Sequence, residues 1–150
     1  MSGKWSGAGT READCDRAHR GGPSERVVDQ RLRNRMMDAL APLVDGNAGV
    51  HRAGVVDYFE DFFALIEEDR PAWREVSSLT HDEVSALEAV SRELSIASDE
   101  TPPMIDEASF TASGWPVRIQ PQAAAALTLM ERRGRFSKDV EESEPSPTAP

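Results

Sequence analysis

Apolar residues recur along this chain at helical rather than strand spacing. The densest instance is Ala53–Arg70, AGVVDYFEDFFALIEEDR, which holds four of the chain's six Phe and Tyr residues. At about 100° per residue, Val55, Val56, Tyr58, Phe59, Phe62, Phe63, Leu65 and Ile66 fill about half of the helical wheel. Asp57, Glu60, Asp61, Ala64, Glu67 and Glu68 fill most of the other half. An apolar arc of roughly 180° is wider than the stripe of a helix packed on one neighbour. The pattern predicts a central helix over 53–70 that touches two or more others, its rings dominating the buried area.

The rest of the chain reads as further helices around it. Ser24 is placed to cap a helix running to about Ala41, with Val28, Leu32, Met36, Ala39, Leu40 and Leu43 inward. Arg26, Arg31, Arg33 and Arg35 lie off that face, so this basic helix is expected beside the acidic one. Pro42–Gly49 reads as a loop. Pro71 opens a short helix with Trp73 and Val76 inward. Thr80 and Glu83 form a capping box for a helix to about Ala97 that buries Val84, Leu87, Val90, Leu94 and Ala97. Residues 98–122 read as irregular: Thr101-Pro102-Pro103 forbids helix, Asp106–Ser109 forms one turn, and Trp115 before Pro116 is extended, leading into a short extended piece at Val117–Ile119. Pro121 starts a last helix through Met130, with Arg132 and Arg133 suiting its C-terminal dipole and Gly134 its end. Residues 1–24 are Gly-rich without periodicity, and 136–150 are acidic and Pro-rich; both are expected to be disordered. The expectation is an all-α protein, a compact bundle of about five helices in a single domain over 25–135.

Charge sharpens this picture. The formal net charge is −10, distributed as +3 over residues 1–35, −12 over 36–130 and −1 over the last twenty. So acidic a domain repels phosphate backbones and anionic lipid heads, so neither nucleic acid nor membrane is expected as the main partner. Cys15 is the only cysteine and allows no intramolecular disulfide, which fits a reducing compartment. With no apolar run resembling a signal peptide or reaching transmembrane length, cytoplasm is the expected location.

Catalytic spacing is sparse. His19, His51 and His81 are scattered, with no HExxH or CxxC, so no metal site or cofactor is expected. There is no GxSxG, SxxK or Gly-rich phosphate loop. Leu79–Val84 looks like the opening of a helix-turn-helix. The downstream segment Ser98–Pro103, however, is acidic and broken by prolines, unlike a DNA-reading helix. Asp57-x-x-Glu60 resembles half of the magnesium motif in all-α nucleotide pyrophosphohydrolases. That resemblance, confined to one helix, implies a second acidic pair on a facing helix holding Mg²⁺ over a phosphate-containing small molecule. Asp82 and Glu83 are the candidates, yet Ser85 and Ala86 stand where their partner acids belong.

The polar half of the central helix carries five carboxylates and no Lys or Arg. Asp57 and Asp61 repel at i,i+4 spacing, at a cost of a few tenths of a kcal/mol. Either this face is solvated surface kept soluble by charge, or it is a docking surface for something basic or a cation site. Trp115 and Arg118 form the second candidate, a binding hot spot or a plug for the end of the core. The candidate partner-binding residues are therefore Asp57, Glu60, Asp61, Glu67, Glu68, Trp115 and Arg118, with no catalytic residue among them. The expected function is a small acidic protein-interaction module (adaptor, inhibitor or immunity-type) whose partner is another, basic, protein. The alternative is a magnesium-dependent enzyme using the central carboxylates.

Overall fold

In the computed structural model, which describes residues 22–66 and 71–145, the chain is all-α. The order is α1 (Glu25–Val44), α2 (Asn47–Ala53), α3 (Val55–Phe63), a 3-10 turn at Pro71–Glu75, α4 (His81–Glu100), α5 (Glu107–Ala112) and α6 (Trp115–Arg133). The three long helices, of 20, 20 and 19 residues, form the body: α6 packs against both α1 and α4. The short helices α2, α3 and α5 pack on one another and on α1 and α6. Met36, Leu40, Leu43, Phe62, Leu87, Leu94, Ile119 and Met130 are fully enclosed between them.

Several helix starts follow from local chemistry. The Ser24 hydroxyl accepts from the Val27 N–H at 3.2 Å. Thr80 and Glu83 form the expected reciprocal capping box, both hydrogen bonds at 3.1 Å. Asp106 caps α5 by accepting from the Ser109 N–H at 2.7 Å, and its bonds to Ser109 hold its carboxyl below the ordinary carboxylate range.

The central stretch is helical but not continuous. Gly54, at φ 89° and ψ 155°, separates α2 from α3, a conformation open to glycine alone without strain. Helix α3 ends at Phe63, the chain turns through Ala64–Ile66, and residues 67–70 lie outside the described residues. The expected loop at Pro42–Gly49 is mostly helix: Pro42 sits in the last turn of α1, and α2 begins at Asn47. These two segments meet backbone to backbone, since a Cβ on Gly49 would lie 1.8 Å from the Pro42 carbonyl oxygen.

The expectation for 98–122 also needs correction. Helix α4 runs to Glu100, and Trp115–Ile119 is not extended but opens α6. Pro116 lies in the first turn, where its missing N–H has no intrahelical partner to lose. Pro121 lies further in, so the Val117 carbonyl lacks its usual partner.

The C-terminal segment differs from a disordered tail over 136–145. Phe136 is buried, and the Asn34 amide clamps its backbone, donating to the carbonyl at 2.8 Å and accepting from the N–H at 3.1 Å. Gln30 donates to the Ser137 and Val140 carbonyls at 2.9 Å and accepts from the Glu142 N–H at 2.7 Å. Arg26 reaches the Glu142 carbonyl at 2.7 Å. The segment is thus a strap across α1. Within the segment Glu142 accepts from the Ser137 N–H and the Ser137 hydroxyl accepts from the Asp139 and Val140 N–H groups, and the polar residues of α1 fasten the folded segment to the helix. The rest of both expected tails, 1–21 and 146–150, lies outside the described residues.

Candidate functional site

Helix α3 presents Asp57, Glu60 and Asp61 to solvent, and none has an ion pair among the described residues. Asp57 stands in the first turn, where it favours the helix dipole and offsets the missing N-cap hydrogen bond. Glu67 and Glu68, expected on the same face, lie outside the described residues. On the inner side Tyr58, Phe59 and Phe62 are buried. Tyr58 and Phe59 meet Phe110 of α5 at ring-centroid distances of 5.6 and 5.3 Å. Burial pushes the Tyr58 hydroxyl well above its ordinary pKa, and no group among the described residues hydrogen-bonds to it.

The apolar arc is narrower than the wheel suggests, because Val56 is 71% exposed. It borders a groove of about 230 Å³ between α3 and the segment after α4, lined by Val55, Val56, Phe59 and Glu60 on one side and Thr101–Ile105 on the other. Met104, 99% exposed and at φ 64°, stands at its edge. Asp57, Asp99 and Glu100 are exposed close by in the chain. The groove is therefore mostly apolar, with Glu60 the one carboxylate among its lining residues. Asp61 faces a different groove, of about 280 Å³, which it shares with Arg35 and Asp38 of α1. The acidic row thus faces two surfaces, one of them shared with Arg35 of α1.

Trp115 and Arg118 sit together but apart from that row. The Trp115 ring is buried in the core, and the Arg118 guanidinium lies 4.2 Å from its centroid, a cation–π contact. Neither residue forms an ion pair or side-chain hydrogen bond with the described residues of α3.

One polar cluster departs from the expectation for α1. Arg33, expected off the apolar face, is fully buried. Its Nε and Nη2 donate to the two Glu83 carboxylate oxygens at 3.2 and 2.7 Å. Nη1 and Nη2 also donate to the Gly134 and Met130 carbonyls at 2.7 and 2.9 Å, the latter two closing the end of α6. Arg133 adds a third cationic contact, Nη1 to Glu83 Oε1 at 2.7 Å. Burial alone pushes the Glu83 carboxyl up. The hydrogen bonds from Arg33, the Thr80 N–H and Arg133, with the field of Arg33, outweigh it and hold the group below the ordinary range. A signal does exist: Arg33 shares the i, i+3, i+4, i+7 spacing of Met36, Met37 and Leu40.

This cluster bears on the magnesium motif, because Glu83 is committed to two arginines. Among the described residues no group of three or more His, Cys, Asp or Glu side chains is placed to hold a metal ion, and no helix is long and apolar enough to cross a membrane. His51 pairs with Glu107 at 2.9 Å on the exposed surface. No family model, no curated protein and no solved structure matches the chain.

Proposed function

We propose that this protein is an interaction module that captures a basic, amphipathic segment of another protein, without catalysis, in the cytoplasm. The observation that carries it is the groove beside α3, where an exposed Val56 and Met104 lie next to carboxylates with no cationic partner among the described residues. Apolar side chains left in water cost about 25 cal/mol per Å² relative to burial, so an apolar anchor entering the groove gains from both partners. Lys or Arg flanking that anchor gains from Glu60 in the lining and from the exposed acids near it in the chain, which speed encounter and select against acidic competitors. Asp57, Glu60 and Asp61 supply the field, with Glu67 and Glu68 extending the same run in sequence. Trp115 and Arg118 take a supporting part only, as a stacked pair at the start of α6.

Two variants of the full chain test this: Asp57→Asn/Glu60→Gln/Asp61→Asn, and Val56→Ser/Met104→Ser. All five positions are exposed, so helical content by circular dichroism should be unchanged. Both variants should lose the partners that the parent captures from its host's extract, and raised salt should weaken capture by the parent. Capture of the same partners by both variants would refute the proposal.

A further inference from the structure

Helix α1 and the strap border a third cleft, of about 540 Å³, whose charge is opposite to that of the molecule. Arg31, Arg35, Arg135 and Lys138 line it, with Asp38 the one carboxylate among the lining residues. Among the described residues the compensation is incomplete. Arg135 is paired to Asp38 at 2.9 Å and also donates to the Asn34 carbonyl at 3.3 Å. Arg31 spends its Nε on the Lys138 carbonyl at 2.6 Å and lies 3.7 Å from Asp139, whose side chain is 86% exposed. The side chains of Arg35 and Lys138 have no partner among the described residues. Arg31 and Arg35 stand at i,i+4 on one helix, a like-charge spacing that is unfavourable when nothing lies between.

From this we infer that the cleft binds a compact oxyanion, a small molecule bearing two or more phosphate or carboxylate charges. Guanidinium groups present forked donors matched to such oxygens, and an ammonium supplies a point charge beside them. Its volume lies within the roughly 300–1,000 Å³ of small-molecule sites. An extended polyanion would have to lie along a surface of net charge −10, whereas a small one meets only the local field. Phe136, held in place by Asn34, forms part of the wall, so the strap must be docked for the cleft to exist. The site is separate from the groove beside α3, and its occupant is of opposite charge.

Titration calorimetry on the full chain with inorganic pyrophosphate and, separately, citrate tests the inference at physiological ionic strength. At least one should bind saturably at a single site: pyrophosphate alone marks a phosphate ligand, citrate alone a carboxylate, and both a site read by charge and size. Arg35→Gln/Lys138→Gln removes two cations whose side chains hold no partner among the described residues. It should weaken binding about tenfold or more, the effect of losing one or two charge-assisted hydrogen bonds. Arg92→Gln/Arg132→Gln makes the same charge change at exposed positions outside the cleft and should weaken binding far less. Absence of saturable binding by both anions overturns the inference, as does equal weakening in the two double variants.

Discussion

Glu83→Gln removes one charge and almost no volume, and the structure assigns it a large effect. The carboxylate accepts from Arg33 twice, from Arg133 and from the Thr80 N–H, and it is fully buried along with Arg33. The variant leaves two guanidinium groups facing a neutral amide, one of them with no route to solvent. Breaking a buried pair from one side costs about 3–5 kcal/mol, a large part of the roughly 5–15 kcal/mol that holds a domain together. In urea unfolding followed by circular dichroism, a slope of about 1.5 kcal/mol per molar turns this into a midpoint lowered by roughly 2–3 M. Arg33→Met on top of Glu83→Gln should recover part of the loss, because the stranded cation goes and glutamine still serves the capping box, while the Gly134 and Met130 carbonyls lose their donor. The pH dependence has a definite sign. Glu83 is depressed in the folded state below its ordinary value of 4.5. Its contribution is therefore complete above that value and is lost as pH falls through the lower folded-state value. Glu83→Gln should flatten that acid limb. A midpoint change worth under about 1 kcal/mol would refute the burial of this pair.

Other substitutions test separate parts of the fold. Gly49→Ala puts a methyl 1.8 Å from the Pro42 carbonyl; it should cost at least about 1–3 kcal/mol, and an unchanged thermal melt would contradict the α1–α2 contact. Tyr58→Phe removes a buried hydroxyl without a partner among the described residues and should be neutral or stabilising by up to about 1 kcal/mol; a clear loss in the same melt would mean the hydroxyl is satisfied. Asn34→Ala cuts both hydrogen bonds to Phe136. Amide exchange over 136–142 should then quicken while α4 keeps its protection, and unchanged exchange would mean the strap is held by other contacts.

The features legible in the sequence are local ones. The Thr80–Glu83 box needs only residues three apart, and the start of α1 needs only Ser24 and its neighbours. The inward set of α4 comes from period alone: Leu87, Val90, Leu94 and Ala97 are buried, and Val84 is half-buried against the core. The exposed acids of α3 are likewise legible. Features set by distant partners are not. Arg33 lies on the buried face by spacing, but an arginine counts as polar until Glu83, 50 residues on, and Gly134, 101 residues on, are brought to it. The wheel turns Val56 inward because it cannot tell which edge of a wide arc the neighbouring helices leave uncovered. Trp115-Pro116 reads as extended because that preference governs the residue before proline within a chain, whereas a helix start accommodates the pair. The basic cleft joins α1 to residues about a hundred positions later, through two amide side chains, Gln30 and Asn34, that carry no sequence signature.

The most direct test of the interaction module is chemical-shift mapping on the isotopically labelled full chain, titrated with a synthetic amphipathic helical peptide carrying Leu on one face and Lys on the other. If the groove beside α3 is the docking surface, saturable shifts should concentrate at Val55, Val56, Phe59, Glu60 and Thr101–Ile105 and weaken as salt is added. Shifts absent from that groove, or spread evenly over every exposed carboxylate, would contradict it.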